Sequence, residues 1–235
     1  MREVAVSDCV ILTSDLEIPW RAEPGSVLIE EGLDPARERE IESLLAIGNG
    51  YLGVRASIGV GRFSHPATFI AGIYVGNGDL GPRLAVLPHW LNVDVTIEGQ
   101  RLSIEMGRVL TYRRRLDLPQ GILWQEWRQR DPSGRITRLN YFQLASLADR
   151  HLLLQSVTVT AENYTGTISL TARLGPSDGS TDLEQAAAEP GAMLLRTVGK
   201  EVGVAAALEM QIPASASAGR EIGRASCRER VLLGV

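Results

Sequence analysis

The sequence predicts an all-β fold, a large antiparallel β-sandwich carrying one short helix near its start. Three observations support it. Apolar and polar residues alternate over successive stretches between residues 93 and 174, the period of half-buried strands. Clusters of Asn, Asp, Gly and Pro separate those stretches and supply turn chemistry. The strand patterns do not alternate with helical ones, which excludes a doubly wound fold, and no repeat of about 20–50 residues points to a propeller.

Residues 1–24 show no sustained period, and Pro19 and Pro24 mark them as a loop or extended leader. A helix is expected near 35–46. Asp34 is its N-cap and Pro35 its first residue, with Ile41, Leu44 and Leu45 as its apolar face and Gly48 as its stop. Val93, Val95 and Ile97 then alternate with Asp94, Thr96 and Glu98. After the turn Glu98-Gly99-Gln100-Arg101, Leu102, Ile104 and Met106 continue the period, so 93–106 reads as a hairpin. A second hairpin joins Ile122–Arg130 to Arg135–Phe142 through Asp131-Pro132-Ser133-Gly134. Val157, Val159 and Ala161 form a further strand, answered after Asn163-Tyr164-Thr165-Gly166 by Ile168, Leu170, Ala172 and Leu174. Two more strands, 193–198 and 202–212, follow a polar loop at 175–190. The expected core includes Val93, Val95, Ile97, Val157, Val159, Ile168 and Leu170, because a one-residue slip in register would turn each set outward.

Composition narrows the function classes. The 235 residues carry 24 Lys+Arg against 28 Asp+Glu, a net charge of −4, with 44% apolar residues, as in an ordinary globular chain. Phosphate neutralisation needs clustered cations, and the run Arg113-Arg114-Arg115 is too short to line a groove, so no nucleic-acid partner is expected. No apolar run reaches the ~20 residues of a membrane span. The acidic start at Glu3 and Asp8 lacks the basic-then-apolar pattern of a signal peptide, and a cytoplasmic location is expected. Cys9 and Cys227 sit near opposite ends, and His65, His89 and His151 have no partner at ligand spacing, so no metal is expected.

Several segments invite a functional reading. Glu30-Glu31 and the set Glu38, Glu40 and Glu42 suggest paired carboxylates. Glycoside hydrolysis, however, needs two carboxyl groups on opposite sides of one bond, and a solvated helix face is the simpler expectation. The run Gly48-Asn49-Gly50-Tyr51-Leu52-Gly53 follows a helix, whereas a phosphate cradle follows a strand and opens a helix, so a Gly/Asn turn with positive φ is expected. Among Trp20, Trp90, Trp124 and Trp127, the last two have odd spacing and point to opposite faces of one strand. At most one of them is buried.

The run ESLLAIGNGYLGVRAS (42–57) closely resembles the opening signature of glycoside hydrolase family 65, which includes maltose, trehalose, kojibiose and nigerose phosphorylases and some hydrolases. LPHWLNVDVTIEGQ (87–100), TYRRRLDLPQGIL (111–123) and LASLADRHLLLQSVTVTAEN (144–163) resemble the same family in the same order, so the resemblance covers about residues 15 to 210. Ala56 and Gln143-Leu144 depart from its usual glycine and Arg-Phe.

The resemblance implies an N-terminal galactose-mutarotase-like super-sandwich, incomplete here. In the family a helical linker, an (α/α) barrel holding the general-acid glutamate and the phosphate site, and a small β-domain follow. It places no catalytic residue on this chain, which alone is expected to be inactive. It implies no metal and no organic cofactor, with inorganic phosphate as co-substrate if the intact enzyme is a phosphorylase. It also implies an α-linked glucose disaccharide as substrate and a homodimeric intact enzyme. Asn49, Tyr51, Arg55 and Trp90 become candidates for shaping the substrate pocket or the domain interface. The expected organisation is a leader at 1–24, the partial domain at 25–220, and a non-native tail at 221–235, where EIGRASCRERV (221–231) resembles a translated sequencing adapter. Two alternatives remain at this stage. One is a free-standing carbohydrate-binding sandwich. The other is a sugar mutarotase, which would need a positioned His and Glu on facing strands; His151, Glu126 and Glu162 are the ionisable residues on or beside predicted strands.

Overall fold

A computed structural model describes residues 25–57, 64–76, 81–89, 93–172, 182–189, 192–198, 202–207, 209–211, 217–219, 224–226 and 231–234. The predicted leader 1–24, Trp20 and Trp90 lie outside the described residues. Strand β1 is Val27–Glu31, helix α1 Glu38–Leu44, β2 Ile47–Gly48, β3 Leu52–Val54, β4 Thr68–Ile70, β5 Tyr74–Val75 and β6 Arg83–Leu84. Next come β7 Val93–Ile97, β8 Gln100–Arg101, β9 Arg108–Asp117, β10 Ile122–Arg130, β11 Ile136–Ala145, β12 Leu153–Ala161 and β13 Ile168–Ala172. The chain continues through β14 Leu183–Glu189, β15 Ala192–Thr197, β16 Gly203–Ala207, β17 Glu209–Gln211, β18 Ser217–Gly219, β19 Arg224–Ser226 and β20 Val231–Gly234.

The large sheet runs β1–β9–β10–β11–β12–β20–β17, and a second sheet runs β18–β19–β13–β7–β8. Every strand pair in both is antiparallel, and the fold is the expected all-β sandwich. Its core forms where the two sheets face each other. From β7 and β13 come Val93, Val95, Ile97, Ile168, Leu170 and Ala172, and they meet Tyr112, Trp127, Leu139, Tyr141, Val157 and Val159 of the large sheet. All seven residues named in advance as core are buried. Trp127 is buried while Trp124 is half-buried on the other face, as their odd spacing requires. A second apolar cluster lies under α1, where Ile41, Leu45, Leu52 and Val54 pack on Leu116, Leu123 and Leu153. A third joins Leu87 to Met193, Leu195 and Val204 of the sheet β14–β15–β16.

The hairpin β10–β11 closes as predicted, with Gly134 at φ 83° and its N–H bonded to Asp131 O at 3.0 Å. Elsewhere the structure differs from the pattern. The helix starts at Glu38: Asp34 instead closes the turn before it, accepting Ala36 N–H at 3.0 Å. The helix ends at Leu44, and Gly48 lies in β2. After the tight turn at Glu98 (φ 48°) and Gly99 (φ 78°), the returning strand lasts only through Arg101. Ile104–Met106 then winds into a 3₁₀ turn that buries Ile104 and exposes Met106, so the alternation there marked a buried turn and not a strand. β13 does not return beside β12 but crosses to β7, with Ile168 opposite Ile97. The polar stretch 175–190 contains β14, whose alanine-rich sequence hid its period. Within the stretch 221–235, expected to be a non-native tail, residues 224–226 and 231–234 form β19 and β20, which pair with β13 and β12. Open sheet edges accept any extended backbone, so side-chain period is not required there.

Candidate functional site

The signature segment 42–57 folds as a helix–hairpin unit, α1–β2–β3, seated on the inner face of the large sheet. Residues 38, 41, 42 and 45 share one helical stripe, so Glu38 and Glu42 are buried beside Ile41 and Leu45. This corrects the expected solvated face. Buried carboxylates need partners, and both have them. Glu38 Oε2 accepts from Arg114 Nη2 at 2.6 Å and Oε1 from the Tyr112 hydroxyl at 3.4 Å. Glu42 accepts from Ser64 Oγ at 2.7 Å and from the His65 amide at 3.0 and 3.1 Å. The arginine run splits across the sheet: Arg114 is fully buried, while Arg113 pairs with exposed Glu31 at 2.8 Å.

Asn49 and Arg55 hold this unit in place. Asn49 Oδ1 accepts from the amides of Tyr51 (3.0 Å) and Leu52 (2.8 Å), which closes the turn over Gly50 at φ 84°. Its Nδ2 donates to Ser146 O at 2.7 Å and Arg150 O at 3.0 Å, locking the turn to the β11–β12 loop. Tyr51 meets His151 edge to face at 4.8 Å, and the Arg150 guanidinium lies over its ring at 4.9 Å. At the other end Arg55 Nη2 donates to Arg39 O at 2.5 Å and lies 3.5 Å from Glu42 Oε2. Three of the four predicted site residues thus fall in one unit, Asn49 and Tyr51 against 146–151 and Arg55 against α1. The loop 146–151 is itself cross-bonded, Ser146 Oγ accepting Asp149 N–H at 3.0 Å and Asp149 Oδ1 accepting His151 N–H at 3.0 Å. It presents Leu147 to solvent at 83% exposure.

Two further groups escaped the sequence reading. Gln125, Gln143 and Gln155 form a buried ladder across β10, β11 and β12, with amide bonds of 2.9 and 2.6 Å. Their parity, shared with Leu123, Trp127 and Tyr141, was the available signal. His89 is buried, neither ring nitrogen has a hydrogen-bond partner among the described residues, and burial pulls its pKa down to about 3. It stays neutral at any physiological pH. The residues that a mutarotase would combine are kept apart: His151 and Glu162 lie at opposite ends of β12. Glu162 is held by Arg128 at 2.7 Å and Arg138 at 2.9 Å, and Arg128 above all keeps its carboxyl below the ordinary range. Among the described residues no group of three or more His, Cys, Asp or Glu side chains could hold a metal ion, and no helix is long and apolar enough to cross a membrane.

Fold and site define a class: an antiparallel sandwich domain whose buried charges dock a helix–hairpin unit on a sheet. The chain belongs to glycosyl hydrolase family 65, since the model of that family's N-terminal domain matches residues 28–231. An uncharacterized glycosyl hydrolase of Mycobacterium tuberculosis (strain ATCC 25618 / H37Rv) is 31% identical over 168 residues, 67% of this chain and 13% of that protein. Kojibiose phosphorylase of Caldanaerobacter subterraneus subsp. tengcongensis is 30% identical over 131 residues, 55% of this chain and 17% of that protein. A solved human-microbiome protein assigned as a kojibiose phosphorylase shares the fold, with a TM-score of 0.68 at 15% identity over 89% of this chain and 29% of that one. The chain therefore spans less than a third of the length of each of these relatives.

Proposed function

We propose that this chain is the non-catalytic N-terminal domain of a larger cytoplasmic enzyme of carbohydrate metabolism, a phosphorylase or hydrolase of α-linked glucose disaccharides. The observation that carries the reading is the match to the family's N-terminal domain over residues 28–231. Three carboxylates add support: Glu38, Glu42 and Glu162 are each engaged by arginine or by hydrogen-bond donors, and none of the three is left as a general acid. An inverting glycosidase needs such an acid and a nucleophile on the opposite face. In this reading both act in the catalytic barrel, inorganic phosphate is the nucleophile of a phosphorylase, no metal or organic cofactor takes part, and the intact enzyme is a homodimer. Asn49, Tyr51 and Arg55, with Trp90, shape the substrate pocket and the domain interface. The rigid, cross-bonded loop that exposes Leu147 beside the Asn49–Tyr51 turn suits an interface, because a fixed apolar side chain loses little entropy when covered.

The test is incubation of the purified chain with maltose, trehalose, kojibiose and nigerose, with and without phosphate. No glucose or glucose phosphate is expected. Product release that copurifies with the chain would place an active site within these residues. Binding of the sugars without turnover would favour a carbohydrate-binding module.

A further inference from the structure

The inner face of the large sheet is polar along one line, and that line runs between the two apolar clusters. Arg114 and Gln125 are direct cross-strand partners on β9 and β10, both buried. Arg114 uses Nη2 on Glu38 and Nη1 on Ala56 O (3.3 Å), which leaves Nε without a partner. Gln125 donates to Gln143 and Gln143 to Gln155, so the ladder ends in two unpaired groups, Gln125 Oε1 and Gln155 Nε2. The buried Tyr141 hydroxyl also lacks a partner among the described residues; Tyr141 stands opposite Gln125 on β10 and opposite Val157, one same-face step along β12 from Gln155. The ends are complementary. A guanidinium can only donate, and the neighbouring free group is an acceptor. At the other end the free group, the Gln155 amide N–H, is a donor, and a hydroxyl can accept from it.

We propose that this seam is a built hydration site holding two internal waters. One accepts from Arg114 Nε and donates to Gln125 Oε1, and the other bridges Gln155 Nε2 to the Tyr141 hydroxyl. Charge selects water over an ion. Glu38 already neutralises Arg114, the glutamines are neutral, and burial keeps the Tyr141 phenol protonated. Each of these four atoms left dry would shift the folding equilibrium about tenfold or more against the native state, whereas buried waters routinely satisfy two to four such groups. The seam also divides the large sheet's inner face into two separately packed parts, the α1–β3 unit on one side and the β7–β13 sheet on the other.

The experiment is water ¹⁷O relaxation dispersion on the whole chain, compared with Tyr141→Phe, which keeps the ring and removes one water ligand, and with Gln125→Leu. The wild type is expected to show a dispersion step from long-lived waters, smaller in each variant by about one water. An equal step in all three proteins would overturn the proposal. So would a thermal midpoint in Tyr141→Phe raised by several degrees, the sign of a hydroxyl that had been buried dry. If Gln125→Leu fails to fold, Gln155→Met with Tyr141→Phe decides between the same outcomes.

Discussion

Mild acid should destabilise this domain through His89. The folded imidazole is buried without partners and its pKa lies at about 3, against an ordinary 6.5. Because the folded pKa is depressed, the unfolded chain binds a proton that the folded chain refuses between those two values. Stability is therefore full above the unfolded pKa and falls with pH below it, by about 1.4 kcal/mol per unit. From pH 6.5 to 5 the loss is about 2 kcal/mol, and by pH 3 it approaches roughly 5 kcal/mol, a large part of the ~5–15 kcal/mol that holds a typical domain together. Asp182 and Glu162, whose pKa values Arg83 and Arg128 hold below the ordinary carboxylate range, add their own loss only once pH falls into that range, below the interval from pH 6.5 to 5. Urea unfolding at pH 7.5, 6.5, 5.8 and 5.0, on wild type and His89→Leu, measures the effect. The variant should lose the slope between pH 6.5 and 5, and at pH 7.5 it should be within about 1 kcal/mol of wild type, since an apolar replacement also removes the two unpaired nitrogens. Equal slopes in the two proteins would refute the reasoning.

Arg114→Met strands the buried Glu38 carboxylate and should cost about 3–5 kcal/mol by urea unfolding, while adding Glu38→Gln should restore much of it. Asn49→Ala removes four hydrogen bonds to the amides of Tyr51 and Leu52 and the carbonyls of Ser146 and Arg150. About 2–4 kcal/mol should be lost, with faster amide exchange confined to 49–52 and 146–151. Asp182 accepts from Arg83 at 2.6 and 2.5 Å and from the Val86 amide at 3.0 Å, so Arg83→Ala should cost about 1–3 kcal/mol. The wild-type advantage of that pair should be present above the ordinary carboxylate range and vanish as pH falls through the depressed Asp182 pKa. Size-exclusion chromatography of Leu147→Asp against wild type tests the interface: the substitution should reduce any self-association of the isolated chain.

The contacts of the signature segment were partly legible in its sequence. Asn49, Tyr51 and Arg55 stood out because a Gly/Asn turn and an arginine close a recognisable run, and the structure brings Asn49 and Tyr51 onto one loop and Arg55 onto Glu42. Glu38 and Glu42 are buried although their charge by itself marks them for exposure. Their positions on the helical stripe with Ile41 and Leu45 were the better guide, since position sets which way a side chain points and a partner then removes the penalty of burial. His89 and the glutamine ladder carry no local signal beyond parity.

What the sequence determined by itself was local: the period-two stretches, the turn at Asp131–Gly134, the buried parity of Val93 through Leu170, and the family signature at 42–57. Side-chain direction repeats every two residues in a strand and every 3.6 in a helix, so one face can be read from the chain without its partners. Only the tertiary structure decided which strands pair across long separations, that β13 crosses to β7 and not to β12, and that Arg114 meets Glu38 across 76 residues. Backbone hydrogen bonds are the same for every residue type, so strand pairing is chosen by the packing of whole faces and not by any single segment. For the same reason the partners of a buried charge are known only when the sheet that buries it is complete.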